Sequence, residues 1–373
     1  MDFQPDIIDL GMGNPDFDLL PIELLRRSAE VYFATADRRS LQYGVEQGDG
    51  YFRKALAEFL VGVYGFIVDP DLLFITSGAS SALDLLCSLY THPGETIFVE
   101  EPSYFLALRI FEDHGLQVLP IPMDGDGLII EVLEERLQEV HPRFIYTIPV
   151  FQNPSGRTLS EARRVELVDL AKQHDFLILA DEVYQFLPYG RKPPDPLAKY
   201  SEKVEQVISI NSFSKILAPG LRLGWIQAHK QVINRLSGSG LLESGGGMSP
   251  FTSAQILGLI QSGQLHANII NLQKEYATRL GIMDSALHEK IPQAEYEKPQ
   301  GGFFFWVHFP GLEAKALRPI VNRYKVDFRE GGLFSSEGGL QDFMRLSFCF
   351  YNQEGILTGI DRLATCLKDR SQS

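Results

Sequence analysis

Between residues 52 and 228, short apolar runs alternate with amphipathic stretches of helical spacing. That alternation leaves few architectures open. Strands are expected at 72–76, 96–100, 117–121, 144–148, 176–180, 207–210 and 223–227. Helices fit between them at 80–90, 104–114, 130–140 and 161–174. Strands alternating with helices argue for an α/β chain whose largely parallel sheet is covered on both faces. In such sheets ligands bind where the strands end at their carboxyl edge. A helical region follows at 250–287, interrupted at Gly263. The character then changes to a dense aromatic strand at 301–307, with expected neighbours at 326–328 and 344–348 and a closing helix at 353–367. The boundaries drawn are a large domain at 41–265 and a smaller α+β domain at 266–373, joined by an N-terminal segment at 1–40.

The polar residues of interest fall just past the expected strand ends. The run Ser212-Phe213-Ser214-Lys215-Ile216-Leu217-Ala218-Pro219-Gly220-Leu221-Arg222 places a lysine after a buried strand. A buried ammonium is costly unless its charge is consumed, and condensation with an aldehyde consumes it. A serine and an arginine beside it are suited to grip a phosphate. Lysine and phosphate anchor in one loop point to pyridoxal 5′-phosphate (PLP). Taken alone, the loop fits a solvated surface turn better.

Three further motifs weigh against that simpler reading. Thr76-Ser77-Gly78-Ala79-Ser80 runs from a strand through a tight turn into a helix, whose free N–H groups make an anion site. An ordinary N-capped helix has the same pattern. Asp181-Glu182-Val183-Tyr184 ends another strand. Opposite a pyridine nitrogen, the Asp181 carboxylate would keep that nitrogen protonated, and Glu182 is assigned to structure. Asn153-Pro154-Ser155-Gly156 is a turn whose Asn amide can donate to the same ring, and Tyr104, after a further strand, can stack on it.

In order and spacing these motifs resemble the class I/II aminotransferases of PLP fold type I, over about residues 10–363. The loop Ser-Phe-Ser-Lys-x-x-x-Pro-Gly-Leu-Arg is similar to the branch holding 2-aminoadipate and aromatic aminotransferases and the PLP domains of some helix-turn-helix regulators. The resemblance implies roles. Lys215 is the Schiff-base lysine and proton shuttle, Asp181 the pyridinium partner, and Tyr184 and Asn153 the donors to the ring oxygen. Tyr104 is the stacking aromatic. Ala79, Ser80, Ser212 and Arg222 form the phosphate cup. Tyr43 reaches the phosphate of a neighbouring subunit, which implies a homodimer with shared active sites. Arg345 grips the substrate α-carboxylate, with the Gly13 backbone and Asn153 beside it. The substrates implied are an amino acid and a 2-oxo acid, commonly 2-oxoglutarate, exchanging an amino group by a ping-pong route.

Two other activities use the same motifs. A carbon–sulfur β-lyase needs the same Lys215 and Asp181, and a non-catalytic PLP-binding regulatory module needs only the cofactor site. No strand is followed by GxGxxG, so a nicotinamide dehydrogenase is a poor fit. With 34 basic against 48 acidic side chains the net charge is -14, which disfavours nucleic acid and anionic membranes as partners. The chain starts too near the expected catalytic fold for a DNA-binding domain to precede it. Cys87, Cys349 and Cys366 show no CxxC spacing, the N-terminus lacks an apolar leader, and no apolar run reaches membrane-spanning length. A cytoplasmic protein without metal is expected.

The resemblance breaks at Phe328-Arg329-Glu330-Gly331, where the family commonly has an apolar-Pro-Gly turn. Arg329 is read as a surface pair with Glu330, and alternatively as a receptor for a distal carboxylate. Arg38 and Arg39 are further candidates for that receptor. The glycine-rich segment 241–248 is placed near the substrate entrance.

Overall fold

The computed structural model describes residues 6–371. The first five residues, on which the absence of an apolar leader was read, lie outside the described residues. After β1 (Ile8–Asp9) come β2 (Leu73–Thr76), β3 (Thr96–Glu101), β4 (Gln117–Asp124), β5 (Gly127–Leu128), β6 (Phe144–Thr147), β7 (Leu177–Asp181), β8 (Val207–Ser212) and β9 (Gly224–Ala228). The last four strands are β10 (Phe304–His308), β11 (Val326–Asp327), β12 (Arg329–Glu330) and β13 (Phe343–Ser347).

Strands β2 to β9 form one eight-stranded sheet in the order β2-β9-β8-β7-β6-β3-β4-β5. The central pairings β8–β7, β7–β6, β6–β3 and β3–β4 are parallel, while β9 runs against both β8 and β2 and β5 against β4. Successive side chains of a strand point to opposite faces, and here both faces are dry. Ile97 and Val99 of β3, Phe144 and Tyr146 of β6, and Leu179 of β7 enter one core. The intervening Phe98, Ile145, Ile178 and Ala180 enter a second core on the other side. These strands therefore read as continuous apolar runs, the pattern of a parallel sheet sealed by helices.

Helix limits follow local chemistry. The Asp49 carboxylate accepts the Phe52 N–H at 2.8 Å and starts the helix Gly50–Tyr64, which ends on Gly65 at φ 84°. Gly263, at φ 74°, separates the helices Pro250–Gln261 and Gln264–Lys290, as the sequence suggested.

The smaller sheet corrects one expectation. The strand predicted at 326–328 is not a neighbour of the aromatic strand. Val326–Asp327 instead pairs in parallel with β1. The sheet order is β10-β13-β12, so Arg329–Glu330 supplies the edge that the earlier segment was expected to fill. The cause is long-range: Ile8 and Leu10 donate to the carbonyls of Lys325 and Asp327 at 3.0 and 2.8 Å, which a local reading of 326–328 does not contain.

Glu182 is buried within the scaffold. It accepts the Leu197 N–H and the Ser209 hydroxyl, both at 2.6 Å, and lies 3.9 Å from the buried Arg164. Removing one partner of a buried ion pair strands the other. Glu182→Ala is therefore expected to lower unfolding free energy by about 3–5 kcal/mol, read by urea denaturation of the purified protein.

Candidate active site

The sheet's carboxyl edge and the smaller sheet enclose a cavity of about 440 Å³. Ala79, Ser80, Tyr104, Asn153, Asp181, Tyr184, Ser212, Lys215, Arg222, Arg345 and Gly13 all line it. Tyr43 does not line its own chain's cavity: it is 82% exposed.

The lysine loop is a wide hairpin connection. Because β8 and β9 are antiparallel, Ser212 is paired with Gly224, and Phe213 donates to the Leu223 carbonyl at 3.0 Å. The closed hairpin brings Ser212 and Arg222 to one place although ten positions separate them. Arg222 adopts φ 46°, an uncommon conformation for a residue with a Cβ, of the kind concentrated at functional sites. Its Nη2 donates to the Ser77 carbonyl at 3.1 Å. Gly78 sits at φ 94°, and a Cβ there would lie 2.9 Å from that nitrogen, so only glycine lets the guanidinium cover the turn. Gly78 also starts the helix Ala79–Tyr90, whose first turn has no side-chain cap. Uncapped N–H groups, the Ser212 hydroxyl and a guanidinium together make an anion cradle. Ser214, whose hydroxyl lies 2.8 Å from that of Ser212, completes it. It was not singled out for the cup, although its place beside Lys215 was the available signal.

Asp181, the last residue of β7, is buried. Tyr146 donates its hydroxyl to Oδ2 at 2.8 Å, and Oδ1 has no partner among the described residues. Burial pushes this carboxyl up to about 6, against the pull of the Tyr146 hydroxyl, the Val183 N–H and the Lys215 charge. Tyr146 was missed in the sequence. The available signal was general: a buried tyrosine hydroxyl needs a partner.

Lys215 donates to the Gly13 carbonyl at 2.9 Å, and burial lowers its ammonium below the ordinary lysine range. Arg345, on β13, donates to Asn153 Oδ1 at 2.9 Å and to the Gly11 carbonyl at 2.7 Å, while its Nε has no partner. Its guanidinium carbon lies 4.0 Å from the centre of the Phe304 ring, and burial brings it down to about 10. Burial likewise raises Tyr104 to about 12 and holds Tyr184 well above its ordinary value.

The surface pair expected between Arg329 and Glu330 does not form. Adjacent residues of a strand face opposite ways. Arg329 turns into the cavity and is held by Asp9 at 2.8 and 3.1 Å, whereas Glu330 meets Arg318 at 3.1 Å. Arg39 is exposed and pairs with Asp37 at 2.5 Å, and neither it nor Arg38 lines the cavity. The segment 241–248 is also absent from the lining: Gly247 donates to the Gly44 carbonyl at 3.1 Å and is packed on Val45.

Comparison with known proteins agrees with this geometry. The family model for aminotransferase class I and II matches residues 5–363. The aromatic-amino-acid aminotransferase 1 of Thermococcus litoralis is 34% identical, the match covering 98% of this chain and 88% of that protein. The structure of the Pyrococcus horikoshii kynurenine aminotransferase, complexed with PMP, superposes with a TM-score of 0.92 at 32% identity, over 99% of this chain and 92% of that one. The α-aminoadipate aminotransferase of Thermus thermophilus, complexed with N-(5′-phosphopyridoxyl)-L-leucine, gives 0.90 at 28%, over 98% and 93%. The cofactor of this family is PLP, and the cavity fits it: the unpartnered Asp181 Oδ1 suits a protonated ring nitrogen and the cradle suits a phosphate. On this match and this cavity, the chain belongs to the class I and II aminotransferases.

Proposed function

We propose that this aminotransferase moves an amino group between an L-amino acid and a 2-oxo acid, with 2-oxoglutarate as acceptor, by a ping-pong route. The observation that carries the reading is the cavity itself, which gathers a half-buried lysine, a buried carboxylate with one oxygen unpartnered among the described residues, and a buried arginine. PLP, when bound, supplies an electron sink that weakens the bond between the substrate α-carbon and its hydrogen.

The residues divide the remaining work. Arg345 holds the substrate α-carboxylate, and Gly13 keeps the backbone close beside it: a Cβ there would lie 3.1 Å from the Phe304 ring. Asn153 gives its oxygen to Arg345, which leaves its –NH2 as a donor to the cofactor's ring oxygen alongside Tyr184. Tyr104 stacks on the ring. Asp181 accepts the ring N–H through Oδ1. Ala79, Ser80, Ser212 and Arg222 hold the phosphate. Lys215 would anchor the cofactor and, as a free amine, would take the proton from the substrate α-carbon, a role that its lowered proton affinity favours.

The proposal extends to assembly and place. The helix Ile22–Thr35 buries none of its residues, and Ile22, Val31, Phe33, Leu41, Tyr43 and Phe251 are exposed. A patch of that kind suits a second copy of the chain, with Tyr43 lending its hydroxyl to the partner's phosphate. The large domain is assigned to 41–265 and the small one to 266–373 together with the segment to 40. Among the described residues no helix is long and apolar enough to cross a membrane, and all three cysteines are buried and free, which suits a cytoplasmic enzyme.

The deciding experiment follows the absorption of the PLP-loaded enzyme as amino acids are added without acceptor. The expected result is a spectral change that 2-oxoglutarate reverses, with one 2-oxo acid released per site. Pyruvate and ammonia accumulating without acceptor would identify the β-lyase, and no change with any donor would identify a binding module. Lys215→Ala should lose turnover by at least roughly a thousandfold while still retaining PLP on a desalting column.

For a shared site, mixing Lys215→Ala with Tyr43→Ala protomers should restore activity that neither variant has alone. Only the mixed dimer contains an intact site, so no gain on mixing would remove Tyr43 from the partner's site.

The cofactor-free protein should show the cost of Asp181. Its folded proton affinity is raised to about 6 from an ordinary value near 4. The folded state thus binds more protons between those values, and stability falls as pH rises through them. Asp181→Asn should therefore stabilise the cofactor-free protein by about 3 kcal/mol above pH 7, a gain absent below pH 4, while weakening PLP binding.

A further inference from the structure

Arg329 and Arg345 are direct partners across β12 and β13, and both line the cavity. Like charges so placed repel. Asp9 relieves the repulsion by taking both terminal nitrogens of Arg329, at 2.8 and 3.1 Å, with Asp327 a further 3.9 Å contact. The same Asp9 carboxylate accepts the Gly11 N–H at 2.9 Å, and the Gly11 carbonyl accepts Arg345 Nη2 at 2.7 Å. Arg329 is also packed on that peptide, since a Cβ at Gly11 would lie 2.8 Å from its side chain. Asp9 is fixed in turn: its N–H donates to the Tyr351 hydroxyl at 2.9 Å.

We propose that Arg329 and Asp9 are positioning residues that set the plane of the Arg345 guanidinium through Gly11, and that Arg329 is not a receptor for a second substrate carboxylate. The inference rests on the reading of Arg345 as the α-carboxylate site. Among the described residues, Arg345 has two hydrogen-bonded tethers, Asn153 Oδ1 and the Gly11 carbonyl, while its Nε has none. A bidentate grip needs the fork held in one plane, and loss of one tether lets it turn on the face of Phe304. Both terminal nitrogens of Arg329 are already taken by the Asp9 carboxylate, so a distal carboxylate would have to displace a resident one.

The relay is tested with PLP-loaded enzyme and two unreactive probes, 3-phenylpropionate with one carboxylate and glutarate with two, titrated by calorimetry. Arg329→Leu and Asp9→Asn should each weaken both probes by about tenfold. They should raise KM for all amino donors alike, with kcat held within about twofold. Arg329→Lys, which keeps the charge but loses the fork, should fall between these and the parent. Weakening confined to glutarate would make Arg329 a second-carboxylate receptor, and unchanged binding of both probes would break the relay; either result overturns the proposal. Should Arg329→Leu fail to fold, shown by lost cofactor absorbance, Asp9→Asn carries the same test. Arg345→Ala is the separate control: unchanged probe binding there would overturn the carboxylate reading itself.

Discussion

The desolvation of three charged groups in one cavity governs the rest of the structure. Asp181 and Arg345 are buried and Lys215 is half-buried, and among the described residues none has a full set of partners from neighbouring side chains. Burying such groups unpaired is costly. The chain offsets part of that cost with backbone: the Gly13 carbonyl takes the ammonium and the Gly11 carbonyl takes one arm of the guanidinium. The remaining valences, Asp181 Oδ1 and Arg345 Nε, stay open. The cavity is thus organised around groups it does not itself satisfy, as a ligand site is.

Each part of the scaffold serves that arrangement. The parallel strands deliver Asp181 and Ser212 to one edge, and the reversal at β9 folds Arg222 back over Gly78. The small sheet contributes Arg345 from its central strand, where both neighbours fix it. The N-terminal segment threads between the two sheets. Beyond β1, it pairs its Leu10 carbonyl with the N–H of Ser347, two residues past Arg345 on the same strand.

Much of this was legible in the chain. Apolar runs buried on both faces announce parallel strands, and the lysine loop is a hairpin that hides Phe213, Ile216, Leu217 and Ala218 and turns Ser212, Ser214, Lys215 and Arg222 to the cavity. Apart from Ser214, what stayed hidden is marked by separation in sequence. Asp9 and Arg329 are 320 positions apart, and Tyr146 meets Asp181 across 35. Nothing local to Arg329 favours Asp9 over Glu330; the alternation of a strand's faces decides it, and that required knowing that 329–330 is a strand. The second pairing of 326–327 with β1 was invisible for the same reason.

The position of β1 also bears on how the chain matures during synthesis. Ile8 leaves the ribosome long before its strand partner Val326, and Gly11 waits for Arg345. Non-local pairings of this kind form late because the chain between must first be ordered. The eight-stranded sheet, with Lys215 and its phosphate cradle, is complete once β9 has emerged. The tethering of Arg345 is not, because it needs Gly11 from before β2 and a strand from after β9. A chain interrupted after β9 therefore holds every strand of the large sheet, Lys215 and Arg222 but lacks Arg345, so the cavity is the last part of the molecule to close.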